Sequence, residues 1–406
     1  MSFDVRPCGD LAEFDRALLS IGQYFGNESD PEGVERFARM LPIERMHAAW
    51  EDGRIVGGAG AFSYDLSVPG GATVRSGGVT VVGVQPTHRR RGVLRAMMRA
   101  QLDDVRARGE AVAWLWASEA PIYTRFGYGL ASLIGDIELA RDRTAYARPL
   151  ERRGTIRLLD LDEAVEAIPQ IHETAMRSRP GMFRRSRAWW ETRRLADDPA
   201  RRRPGHGPLN RALLEIDGRP AAYALYRVAS AFEHGSASGS INVVEAVAVD
   251  DASLAEIWRY LLDMDWTAWI KGDLLPVDHP LFLLLAEPRR MRYRVNDGVW
   301  VRLVDVGAAL SARAYADDEP LVLDVRDAFV PENDGRWRLA GGAAERTDDD
   351  PDLSLDVGDL GSVYLGGFTW TQLRAGLRVE ELRDGAVDRA ERVFGTWPKP
   401  WCPEIF

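Results

Sequence analysis

The chain has 406 residues, which at roughly 100–200 residues per domain corresponds to about three domains. With 46% hydrophobic and 28% charged residues it has the composition of a folded chain, which excludes disorder throughout. No apolar run approaches the roughly 18 residues of a bilayer span. The two cysteines, Cys8 and Cys402, lie near opposite ends and exclude a disulfide framework or a Cys-rich zinc site. The formal net charge of −10 opposes nucleic acid and favours a cationic small substrate or a basic partner.

Taken in chain order, the start Met-Ser-Phe-Asp-Val-Arg-Pro lacks the apolar segment of a secretory signal, so a reducing cytoplasm is the expected location. Only Lys271 and Lys399 among the 52 basic residues are lysine, a bias that points to a GC-rich genome. Ala49–Arg54 reads as a strand entering a tight hairpin, because Asp52-Gly53 supplies the positive-φ pair of a type I′ turn. Gly78–Val84 is a β-rich run stopped by Pro86, and Leu94–Val105 has a helical pattern. Trp114–Glu119 reads as a buried strand ending in polar residues.

The same order recurs. Leu214–Arg219 holds a second Asp-Gly turn, Ile241–Val249 is a second β-rich run, and Leu254–Met264 a second helical pattern. Val84 follows Asp52 by 32 residues, and Val249 follows Asp217 by 32. Equal spacing with matching flanks indicates a duplicated domain. The copies differ after the strand. The first continues Gln85-Pro86-Thr87-His88-Arg89-Arg90-Arg91-Gly92, the second Asp250-Asp251-Ala252-Ser253.

A strand, an Arg-rich turn with a glycine, and a helix make an anion site. Helix N-termini carry unsatisfied N–H groups and partial positive charge, Gly92 permits close backbone approach, and arginines add charge-assisted bonds. Val82-x-Val84-x-Pro86-x-x-Arg89-Arg90-Arg91-Gly92 resembles the acetyl-coenzyme-A loop of the GNAT N-acetyltransferases, although Leu94 stands where that superfamily usually has Gly or Ala. Carried over by position, Val82 and Val84 would hold the pantetheine and acetyl amide, and Arg89, Arg90 and Gly92 the pyrophosphate. The block Ile122-Tyr123-Thr124-Arg125-Phe126-Gly127-Tyr128 resembles the superfamily segment whose first tyrosine approaches the thioester sulfur. The resemblance therefore implies that Tyr123 donates a proton to the departing thiolate.

The wording of these blocks, including Ala117-Ser118-Glu119, is similar to the enhanced intracellular survival (Eis) family of acetyltransferases. So are the degenerate second copy and the pattern Leu360-Gly361-Ser362-x-Tyr364-Leu365-Gly366, which looks like that family's sterol-carrier-protein-like domain. The implied fold class is α/β (α+β), with two tandem GNAT domains, the second degenerate, and a C-terminal carrier-like α/β domain. The domains are expected at 1–145, 146–298 and 299–406, with Arg141–Arg153 as a linker and the next boundary near Val295–Asp305. The resemblance further implies acetyl-CoA as cosubstrate, Ser118 among the cofactor-binding residues, and a homo-hexamer.

The final stretch Gly395–Phe406 carries three aromatics, an isoleucine and three prolines. Leaving this strip in water is costly, so it is expected to dock. The family resemblance implies that the terminal α-carboxylate, here on Phe406, acts as general base in the N-terminal domain. A free α-carboxyl has a pKa of about 3.3–3.7, an amine roughly 8–10, and each unit of mismatch costs about 1.4 kcal/mol. Desolvation would narrow that gap, and the anion would also attract the amine, so the role combines placement with partial deprotonation.

The resemblance implies acceptors that are amines of polycationic, aminoglycoside-like molecules, and also lysine side chains. Glu28, Phe37, Trp116 and Glu404 are the candidate lining residues. The six histidines show no metal-ligand spacing, so no metal is expected. Arg184-Arg185, Arg193-Arg194 and Arg201-Arg202-Arg203, interleaved with Glu191, Asp197 and Asp198, read as a solvated Arg-rich surface; Asp348–Asp350 reads as an exposed loop. The alternative to an acetyltransferase is a non-catalytic acyl-CoA- or lipid-binding sensor. The intact Tyr123 and Arg-Gly loop favour the enzyme.

Overall fold

A computed structural model describes residues 3–26, 28–199 and 202–406. The first part of the chain builds an antiparallel meander. Strand β1 (Asp4–Pro7) pairs with β2 (Met46–Glu51), β2 with β3 (Arg54–Ser67), and β3 with β4 (Thr73–Val84). The β2–β3 turn is tight because Asp52 and Gly53 both take positive φ, 49° and 73°. Helices α1 (Leu11–Gly22) and α2 (Pro31–Ala38) precede β2; Asp10 caps α1, accepting from Glu13 N at 2.8 Å. After β4 come α3 (Val93–Ala107), β5 (Val112–Trp116), the short α4 (Ala120–Thr124) and β6 (Gly129–Leu130).

The next section forms a separate unit, Leu133–Gly298 together with Pro398–Glu404. It contains β7 (Leu133–Ala140), β8 (Thr155–Leu158), α5 (Leu161–Ser178), α6 (Arg187–Trp189), β9 (Leu209–Ile216), β10 (Arg219–Ala229), a small hairpin β11 (Phe232–Glu233) and β12 (Ser236–Ala237), β13 (Ser240–Ala248), α7 (Asp251–Leu262), β14 (Trp269–Pro276), α8 (Leu281–Leu284) and β15 (Arg294–Asp297). Its main sheet runs β15-β7-β14-β13-β10-β9-β8. The second Asp-Gly turn repeats the first, with φ of 51° at Asp217 and 72° at Gly218. Trp258 and Leu261 of α7 pack with Ala222 and Ala224 of β10 and Ile241 and Val243 of β13, the face on which its core grows.

The chain then returns to the first unit with β16 (Val299–Leu303), α9 (Val306–Ser311), β17 (Leu321–Arg326), β18 (Gly335–Ala340), β19 (Ala343–Arg346), β20 (Leu353–Asp356), α10 (Val357–Tyr364), α11 (Trp370–Ala375), β21 (Val379–Glu381) and α12 (Ala386–Phe394). β16 inserts between β5 and β6, giving the order β1-β2-β3-β4-β5-β16-β6, while β7 pairs with β14 and β15 in the other sheet. The sheets therefore change over at Ser132/Leu133 and Gly298/Val299. Strands occupy much of the region around Val295–Asp305 that reads as a boundary in the sequence.

The carrier-like sheet runs β19-β18-β17-β20-β21. Its α10 lies on β6 and β16 because the Leu-Gly-Ser motif is small where it must be. A Cβ on Gly361 would strike Val301 O, and one on Gly129 would strike Gly358 O. Among the described residues, no helix is long and apolar enough to cross a membrane.

Candidate active site

The site begins with a fork in the first sheet. β4 and β5 run parallel only at Ser76/Val112, Gly77/Ala113 and Gly78/Trp114. Beyond Gly78 they part, and β4 continues to Val84 paired on its β3 side alone. On that side the register slips between Gly58 and Gly60, so Val81 and Val82 together stand opposite Ala59. This is a β-bulge, and Val81 takes φ 48°, a rare conformation for a β-branched residue. Bulges leave backbone groups outside the ladder and tend to sit beside functional sites. Val82 and Val84 are half-buried on the free stretch of β4. Tyr24 donates its hydroxyl to Val84 O at 2.6 Å, and the Arg89 guanidinium lies 5.5 Å from the Tyr24 ring centre.

At the end of β4 the turn into α3 is shaped for an anion. Arg90 (φ 60°) and Gly92 (φ 95°) are both left-handed, a backbone alternation that gathers N–H groups into a concavity. Gly92 is the N-cap of α3 and gives it no side-chain bond; a Cβ placed there would meet nothing within 4 Å. The first-turn N–H groups of a 15-residue helix are therefore open to an outside acceptor. Arg89, Arg90, Arg91 and Gly92 are all exposed. Arg91 is tied to Glu51 by N–O distances of 3.0 and 2.5 Å, and His88 lies 3.0 Å from the same carboxylate. These residues fit a pyrophosphate held by backbone and arginine.

Across the fork, Tyr123 sits on α4. It is buried among Val79 of β4 and Leu115 of β5, with Tyr128 at 5.9 Å between ring centres and Val82 and Ala117 alongside. Burial pushes its phenol up to about 12. At neutral pH it is thus a protonated, neutral acid. Trp116 ends β5 half-buried, and Ser118 is exposed just beyond it.

The Phe406 ring sits where the strands part. It lies 4.4 Å from Trp114, 5.4 Å from Tyr64 and 6.5 Å from Phe62 between centroids. A Cβ on Gly78 would stand 3.2 Å from Phe406 Cε2 and collide with the Tyr64 ring. The last paired residues of the fork, Gly78 and Trp114, are therefore the seat of this ring. Aromatic contact continues from Phe62 to Phe37 at 5.9 Å and from Phe37 to Phe14 at 6.0 Å. Phe37 is thus joined to Phe406 through one intervening ring. Glu28 is exposed in the loop leading to α2.

Glu404 lies elsewhere than the sequence suggests. Its side chain is interior to the second unit, accepting from Trp189 Nε1 at 2.9 Å and Arg193 Nε at 3.3 Å, with Arg185 Nε 3.0 Å away. The Arg-rich stretch is corrected with it. Arg185 and Arg194 are inside, paired with Glu245, while Arg184 stays outside and Arg201 lies outside the described residues. Alternating acids and arginines look alike in sequence whether they meet each other or water. The docking of the tail is also uneven: Trp401, Cys402 and Phe406 are buried, but Trp397 and Ile405 are exposed.

Sequence reasoning missed Val81, Trp114, Tyr64 and Phe62 as parts of this site. One signal was available, the pair Gly77-Gly78 inside a strand, since strand glycines mark places where another group approaches closely. Among the described residues, no cluster of three or more His, Cys, Asp or Glu could hold a metal ion.

Comparison with known proteins accounts for most of the chain. Residues 5–131 and 181–303 each match an acetyltransferase (GNAT) domain, and residues 306–403 match a sterol carrier protein domain. An uncharacterized N-acetyltransferase of Streptomyces avermitilis is 41% identical over 92% of both chains. N-acetyltransferase Eis of Mycobacterium tuberculosis is 31% identical over 90% of both. The crystal structure of Eis1 from Mycobacterium abscessus superposes with a TM-score of 0.86 at 35% identity, covering 99% of this chain and 100% of that one. The two GNAT matches, the carrier-like third and the likeness to Eis over nearly the whole length agree: this chain is an N-acetyltransferase of the Eis family.

Proposed function

We propose that the enzyme transfers the acetyl group of acetyl-CoA to amines of polycationic, aminoglycoside-like small molecules and to lysine side chains, by direct attack and without a covalent enzyme intermediate. The observation that carries this reading is the Phe406 ring seated on Gly78 and Trp114 at the fork. In this reading an α-carboxylate on Phe406 draws the cationic amine, orients it and takes its proton. Three aromatic neighbours hold that ring, each such pair worth about 0.5–1.5 kcal/mol beyond simple burial.

Acetyl-CoA supplies an activated thioester. Arg89, Arg90 and Gly92 with the N-terminus of α3 would take its pyrophosphate, and Val82 and Val84 the pantetheine, with Ser118 as a further contact. Backbone N–H groups near Val82 polarise the carbonyl, a contribution worth about 3–4 kcal/mol where one such donor has been removed in other enzymes. Tyr123, kept protonated by its burial, delivers a proton to the thiolate. Phe37 and Trp116 offer aromatic walls for the acceptor, and Glu28 an anionic rim; the overall −10 charge favours polycations.

The test is thiol release from acetyl-CoA with a tobramycin-like polyamine. The full chain should release coenzyme A only when the amine is present. A chain lacking Phe406, or extended beyond it by a few residues, should lose turnover while its acetyl-CoA affinity stays the same. Undiminished turnover in both variants would remove the carboxylate from the mechanism. A hexamer of this chain is part of the same proposal and is checked by its mass in solution.

A further inference from the structure

The second copy forks where the first one does. β13 and β14 run parallel from Ser240/Trp269 to Val243/Gly272. Val243 stands 165 residues after Gly78, the same offset that separates Val249 from Val84. Past this point the prongs are bridged by the chain's own strap, Pro398–Glu404, which belongs to the same unit. Trp401 packs with Tyr223, Leu225 and Val247. It donates its indole N–H to Leu274 O on the other prong at 2.5 Å and its backbone N–H to Pro180 O at 2.8 Å.

Beside Trp401 lies a buried charge network. Glu245, on the free stretch of β13, is gripped by both amino groups of Arg185 at 2.9 and 2.7 Å and by Arg194 at 2.5 Å, and it accepts from the Tyr223 hydroxyl. Burial alone would raise its carboxyl; the Arg185 and Arg194 charges outweigh that and hold it well below the usual range. Arg185, fully buried, also faces Glu404 at 3.0 Å. The strap's backbone is pinned as well. Arg179 donates to Lys399 O at 2.8 Å, Lys399 N donates to Asp278 at 3.0 Å, and Arg194 donates to Pro403 O at 3.3 Å. Buried ion pairs are weak evidence for stability, because apolar packing would serve as well. Their geometry is specific, however, and this one ends on a residue two positions before Phe406.

We propose that Arg185, Glu245 and Glu404 are positioning residues for acetyl transfer: the second fork has become a socket for the strap, and the grip on Glu404 sets where Phe406 can be. This rests on the reading of Phe406 as base. The degenerate copy then has an active use in place of a lost one.

The test uses a native reporter. Cys402, fully buried, donates its thiol to Glu404 O at 3.2 Å, and burial pushes that thiol up to about 12, so a docked strap is unreactive. Full-length Glu404→Gln and the milder Arg185→Lys are compared with the unaltered chain. Maleimide labelling of Cys402, mapped by peptide mass, should rise about tenfold or more as the strap opens, while Cys8 stays protected and excludes unfolding. kcat should fall by about 10- to 100-fold, as small misplacements of a reacting group do, with the KM for acetyl-CoA unchanged. Arg185→Lys should lie between. Faster labelling with full kcat would overturn the proposal, and so would unchanged labelling in both variants. A chain ending at Glu404 separates the two readings. If it keeps full turnover, the terminal base itself is wrong. If it loses turnover while Glu404→Gln retains it, only the socket is wrong.

Discussion

The two forks are the same construction put to different ends. In the first, residues 85–92 intervene between β4 and α3; in the second, only Val249 and Asp250 lie between β13 and α7. The first helix begins at Gly92, with no side chain to satisfy it. The second begins at Asp250, whose carboxylate accepts from Ser253 N at 2.7 Å. One N-terminus is open to an outside anion, and the other carries its own. The residue at the fork differs too: at Gly78 a Cβ would stand 3.2 Å from the Phe406 ring, whereas the corresponding position of the second fork is Val243. Duplication supplied two similar forks, and a few residues at each left one with an uncapped Arg-Gly turn beside the Phe406 ring and filled the other with the strap.

That contrast can be broken residue by residue. The largest effect should come from Tyr123→Phe, since α8, the helix after β14, carries Leu-Phe-Leu-Leu and no tyrosine. kcat should fall by about 10²–10⁴-fold, the range for a removed general acid, with acetyl-CoA affinity preserved. A loss confined to affinity would make Tyr123 a packing residue. Next, Gly78→Val gives the first fork the residue of the second. Its side chain meets Tyr64 and Phe406, so turnover should drop about 10²-fold by displacement of the ring, and overpacking should cost about 1–3 kcal/mol in melting experiments. Gly92→Asp imitates Asp250. A carboxylate at the helix N-terminus and a non-glycine residue at φ 95° should raise the Kd for coenzyme A by about tenfold or more, measured by calorimetry; unchanged binding would remove that turn from the pyrophosphate site.

The smallest effect concerns pH. The thiol of Cys402 is raised by burial from 9.0 to about 12. Between those values the folded chain keeps a proton that the unfolded chain has lost, so stability is full below pH 9 and declines above it. The contribution is up to about 1.4 kcal/mol per pH unit. Cys402→Ala should flatten the alkaline limb of a melting-temperature profile. A limb of unchanged slope would mean that the strap is already free in alkali.

Much of the candidate site's local structure was legible because its signals are local. The Asp-Gly turns, the Arg-Gly loop and the Tyr123 block are each read within about ten neighbouring residues, where backbone conformation and residue type are directly coupled. Phe406 was legible because an apolar, proline-rich end must find cover. Glu404 was not, because an acid near Phe406 looks the same in sequence whether it faces a substrate or an arginine. Arg185 and Arg194 likewise look like surface until Glu245, 60 and 51 residues away, is brought against them.

The sequence by itself determined the duplication, the order of the three domains and the local shape of the Arg-Gly turn, since each follows from short-range pattern and composition. Tertiary structure alone decided that β16 enters the first sheet and β7 the second, that β4 and β5 part at Gly78 and Trp114, and that the second fork receives the strap. Strand pairing and buried charge pairing depend on which distant groups meet, and the gain from leaving water together belongs to the pair, so neither residue announces it alone.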